Sequence, residues 1–75
     1  GPMQVFLLSI IVVWTFNGER HAGSQEFSTQ FPTVEECTKE LETLQKGLPE
    51  NFKKQGALDV EVFGKCEMWG KPVKE

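Results

Sequence analysis

The segment from Val5 to Phe16, Val-Phe-Leu-Leu-Ser-Ile-Ile-Val-Val-Trp-Thr-Phe, is apolar at both odd and even positions and stops at Asn17-Gly18. Alternate residues of a strand point to opposite faces of a sheet, so a strand that is apolar on both sides needs cover on both. Its β-branched residues favour a strand, and it falls short of the about 20 apolar residues that a membrane-spanning helix needs. No Lys or Arg precedes it and no small-x-small cleavage site follows Trp14-Thr15-Phe16, so it does not read as a secretory signal. It reads as a buried central strand, and a chain of 75 residues can hardly supply two covering layers by itself.

Asn17-Gly18 predicts a hairpin, because both residue types tolerate the positive φ of a type I′ turn. The returning strand is expected over Arg20–Phe27, where Gly23, Ser24 and the polar residues suggest a sheet edge, with His21 solvated beside the turn. Thr33 and Glu36 match a capping box that opens a helix. Val34, Cys37, Leu41, Leu44 and Leu48 then fall on one stripe, while Glu35, Lys39, Glu40, Glu42 and Lys46 fall mostly elsewhere. Gly47 and Pro49 are expected to end the helix. A polar connection follows from Pro49 to Leu58, with Phe52 tucked against the helix end and Gly56 as the break. From Asp59 to Trp69 the alternation returns: Val60, Val62, Cys66 and Met68 share one parity, and Glu61, Phe63, Lys65, Glu67 and Trp69 the other. Gly64 is read as a bulge.

These elements give an α+β fold of ββαβ order, a three-stranded antiparallel sheet of order 2-1-3 with one amphipathic helix packed on one face. A single domain is expected over residues 3–70. Gly1-Pro2 is read as the remnant of a cleaved expression tag ahead of a native start at Met3, and 71–75 as a frayed tail.

The second sheet face is the open question. It carries either Val5, Leu7, Ile11 and Val13 or Phe6, Leu8, Ile10, Val12 and Trp14 beside Phe63 and Trp69, and the bulkier set is assigned to the helix side. Either loop residues such as Phe31, Phe52 and Trp69 fold over that face, or other copies of the chain cover it. A small homo-oligomer is the expectation, a symmetric dimer being the simplest.

Composition excludes several functions. A net charge of −3, with eight basic residues scattered along the chain, offers no attraction to phosphate backbones, so direct nucleic-acid binding is not expected. One histidine, in a turn, leaves neither cysteine with a base, and no C-x-x-C spacing suggests a metal site, so no enzyme, cofactor or metal is expected. The helix carboxylates read as a solvated face. With no export signal, the location expected is cytoplasmic, and no membrane partner is expected. There Cys37 and Cys66 would be free thiols packed as small hydrophobes; a bridge between them is the alternative in an exported product.

Ile11 to Gly18, an apolar strand ending Val-Val-Trp-Thr-Phe-Asn-Gly, with Ser24-Gln25-Glu26-Phe27, Pro32-Thr33-x-x-x-Cys37 and a last strand bearing Cys66, together resemble a loose pattern of very small phage and prophage proteins. Some members of that class bind and disable bacterial defence components. The resemblance implies a non-enzymatic interaction protein that inhibits a host protein by occlusion, and it transfers no site residue. Trp14, Phe63 and Trp69 are the candidate anchors, with core packing the competing role for Trp14. The alternative is an oligomeric sponge for a nucleotide signal, with Arg20, Lys65 or Lys71 beside Trp69 or Phe63. A structural accessory role is the third.

Overall fold

A computed structural model describes residues 3–71. Strand β1 (Met3–Phe16) turns at Asn17-Gly18 into β2 (Glu19–Phe31), helix α1 (Val34–Lys54) follows, and β3 (Leu58–Lys71) closes an antiparallel sheet of order β2-β1-β3. The expected α+β architecture and strand order are therefore those of the molecule. Gly1-Pro2 and residues 72–75, read above as tag remnant and tail, lie outside the described residues, while Gly70 and Lys71 continue β3.

The hairpin forms as its residues dictate, with φ of 51° at Asn17 and 78° at Gly18. β2 outruns the expected Arg20–Phe27 and reaches Phe31. Its pairing with β1 shifts register between Leu7 and Ser9, and beyond that irregularity Phe31 lies opposite Phe6. Thr33 caps the helix by accepting from the Glu36 backbone N–H at 3.2 Å. The expected stop at Gly47-Pro49 is wrong, because α1 runs through Pro49 to Lys54. Proline deprives the Gln45 carbonyl of its donor and crowds it, a cost of about 3 kcal/mol. Leu48 and Phe52, one turn apart and both packed on the core, offset it. Both are half-buried, so each gains part of the roughly 1.5–3 kcal/mol of full burial, and Phe52 meets Trp14 edge-on at 5.1 Å between ring centroids. The chain leaves the helix at Gly56, φ 96°, whose N–H donates to the Lys53 carbonyl.

α1 runs antiparallel to β3 and lies mainly over it. Cys37 is bonded to Cys66, and a Cβ on Gly64 would overlap Leu41 Cδ1. Further along, Gln45 Nε2 donates to the Val62 carbonyl at 3.3 Å. Gly64 is thus not a bulge. It pairs in register with Ile10 and is a point of close approach, where the Leu41 side chain of the helix leaves no room for a Cβ. The irregularity in β3 sits instead opposite Trp14, where Asp59 takes φ 50°.

The cysteines are a disulfide, not free thiols, with Cα atoms 6.0 Å apart. Cys37 is fully buried, in a core of Leu8, Ile10, Val12 and Ala57. A sequence separation of 29 closes a loop whose constraint on the unfolded chain is worth roughly 3–4 kcal/mol. Such a staple suits a domain with so small a core.

The molecule is long and thin. Its radius of gyration is 15.4 Å, against about 11 Å for a compact chain of this length. The 21-residue helix spans ~31 Å and the 14-residue central strand ~46 Å. The sheet therefore overhangs the helix at the Met3/Lys71 end, where Met68 stays 59% exposed although it faces the helix side.

Candidate functional site

Residues directly opposed in an antiparallel pair share a face, so the register sorts the sheet into two sides. Phe6, Leu8, Ile10, Val12 and Trp14 of β1 face the helix with Val62, Gly64 and Cys66 of β3, as the bulkier-set assignment expects. Val5, Leu7, Ser9, Ile11 and Val13 face away, opposite Trp69, Glu67, Lys65, Phe63 and Glu61 respectively. On β2 this side carries Arg20, Ala22, Ser24, Glu26 and Gln30.

Among the described residues, no segment of the chain covers this second side. Phe31 and Phe52, two of the residues weighed above as its cover, pack on the helix side with the core. Trp69 lies on the open face rather than over it, 46% exposed, with Phe63 at 53% and Ile11 at 49%. Ile11 and Phe63 line a shallow depression of about 220 Å³ with Ser9, Gly64 and Lys65. Trp69 stands ~20 Å further along the same strand.

Charged groups frame the apolar stripe. From β2, Arg20 reaches across β1 to β3: its Nη1 donates to Thr15 Oγ1 at 3.0 Å and to the Asp59 carbonyl at 2.7 Å, and its Nη2 to Glu61 Oε1 at 2.6 Å. It straps all three strands at the turn end. Lys65 and Glu67 pair at 3.5 Å between the two aromatics, both about two-thirds exposed, so the contact adds little stability.

The structure thus brings Phe63, Trp69, Arg20 and Lys65 to one face. It sets Trp14 on the other, half-buried between His21, stacked at 5.7 Å, and Phe52. Trp14 also lines a groove of about 210 Å³ with Ile10, Val12, Gly23, Leu48 and Phe52, left open because the helix favours β3 over β2. Sequence reasoning singled out neither Ile11 nor Glu67 as a site residue. Their parity with Phe63 and Trp69 was the available signal. The groove depends on where the helix sits laterally, which periodicity does not encode.

Among the described residues no group of His, Cys, Asp or Glu is arranged to hold a metal ion, and no helix is long and apolar enough to cross a membrane. Comparison with known proteins finds no family model that matches the chain and no curated protein or solved structure similar to it, so its own geometry carries the functional reading.

Proposed function

We propose that this chain is a small non-enzymatic interaction protein that acts by occlusion, as a homo-oligomer, and that its open sheet face is the surface it must bury against protein. One observation carries the reading: Ile11, Phe63 and Trp69 stand about half exposed on a face lined by Val5, Leu7 and Val13. Apolar patches of this kind on small proteins mark interaction sites. The resemblance to small phage proteins makes a host protein, such as a defence component, the partner class to test. The Cys37–Cys66 bridge supports an oxidising setting for that encounter over the reducing cytosol expected from the sequence. The nucleotide-sponge alternative is the weaker reading, because Arg20 is already engaged by Thr15, Asp59 and Glu61.

The test is solution mass across a concentration range, with affinity capture from host lysate, for the native chain and for Phe63→Glu and Trp69→Glu. Assembly or capture that both variants abolish, with the far-UV spectrum kept, is the expected result. A monomer at every concentration that captures nothing would end the proposal.

A further inference from the structure

We infer that the occupant of the open face is a second copy of this chain, laid with its strands reversed about a two-fold axis at the level of the Leu8–Cys66 pair. The inference rests on the reading that this face is covered by protein, and adds the partner and the register. It comes from the order of side chains along β3. On the open side these are Phe63, Lys65, Glu67 and Trp69 in succession: aromatic, cation, anion, aromatic. Read backwards, that series is aromatic, anion, cation, aromatic, which is its own complement.

A two-fold axis lying between two stacked sheets and perpendicular to their strands keeps β3 over β3 and β1 over β1 while reversing direction. Centred at Cys66, it sets Lys65 of each copy opposite Glu67 of the other and Phe63 opposite Trp69, each contact occurring twice. The flanking strands follow. On β1, Ile11 meets Val5 and Leu7 meets Ser9, and on β2, Glu26 meets Gln30, so no like charges oppose one another among these positions. The overlap also covers the open side of the overhang at the Met3/Lys71 end, which the helix leaves bare.

The area is sufficient. About 35 Å of overlapping strand and about 14 Å of sheet width give roughly 500 Å² per copy, or about 1,000 Å² in all, which meets the threshold of about 1,000 Å² for a specific interface. Sheets stacked about 10 Å apart leave room for interdigitated aromatic side chains. The competing two-fold, parallel to the strands, would place β3 over β2, with Phe63 on Ser24 and Lys65 on Glu26; it strands both aromatics against polar or empty positions.

Charge reversal tests the register. Sedimentation equilibrium from micromolar to near-millimolar concentration should show a monomer–dimer equilibrium for the native chain. Lys65→Glu and Glu67→Lys should each raise the dimer Kd at least tenfold, and an equal mixture of the two variants should form heterodimers in preference to either homodimer. The double variant Lys65→Glu/Glu67→Lys should return to within about threefold of the native Kd, because the reversed series is again self-complementary. Both positions are solvent-facing, and far-UV spectra with the disulfide assayed confirm that each variant is folded. Dimers that the double variant does not restore, or that ignore both single reversals, overturn the inferred register while leaving the face as an interface. A strict monomer whose capture of another protein depends on Phe63 overturns the second copy, and with it the homo-oligomer of the proposed function, and leaves standing the open face as the surface that occludes a partner. A strict monomer that captures nothing sinks both.

Discussion

The two sides of β1 are nearly equal in hydrophobicity and opposite in fate. On one side Leu8, Ile10 and Val12 are buried beneath a helix locked down by a disulfide; on the other, Ile11 is 49% exposed among Val5, Leu7 and Val13. The comparison teaches that hydrophobicity states a need for cover without naming its source. The helix meets that need where its own stripe and a glycine let it approach. The opposite need persists as the feature that most defines the molecule.

Truncating the buried side should have the largest effect. Leu8→Ala removes a fully buried side chain and should cost about 3–5 kcal/mol in denaturant unfolding, whereas Ile11→Ala should cost under about 1 kcal/mol in the dilute monomer. Equal losses would show that the open side is already covered in solution. Reducing the Cys37–Cys66 bridge, or replacing both cysteines by serine, should lower stability by roughly 3–4 kcal/mol, read as a shift in midpoint with and without dithiothreitol. Gly64→Ala should cost about 1–3 kcal/mol, since a methyl there meets Leu41, the Ser9 carbonyl and Ile10. The same substitution at Gly47, whose added Cβ would meet nothing within 4 Å, should instead stabilise by about 0.5–1 kcal/mol. Opposite signs at the two glycines would locate the close contact between helix and sheet at Gly64.

Most of the fold was legible because its signals are local. The two-sided apolar run, Asn17-Gly18, the Thr33 cap and the alternation after Asp59 each specify an element, and the antiparallel order follows from their lengths. The errors lie where tertiary contacts outweigh local preference. Pro49 is a helix breaker until Leu48 and Phe52 find Trp14, and a strand glycine reads alike as a bulge or as a close approach until the neighbouring helix is placed. The disulfide was open for the same reason: Cys37 and Cys66 meet because one lies in the first turn of the helix and the other on the helix side of β3. Of the candidate site, the alternation groups Phe63, Lys65 and Trp69, but a bulge at Gly64 would have broken that parity between Phe63 and Lys65, and which residues cover the second face depends on where Phe31, Phe52 and Trp69 pack. The strap from Arg20 to Glu61 could not, since it depends on which strands flank the centre and how far a long side chain reaches across them.

The bridge also determines how the protein bears mechanical load. Met3 and Lys71 are paired neighbours at the same end of the sheet, so tension applied there peels β3 from β1 one pair at a time. Once the peeling reaches Cys66, the sulfur link passes the force directly to Cys37, and residues 38–65, with most of the helix and the inner part of β3, become an unloaded loop. Under oxidising conditions a pulled molecule would therefore extend by only part of its contour length, and reduction would release the remainder.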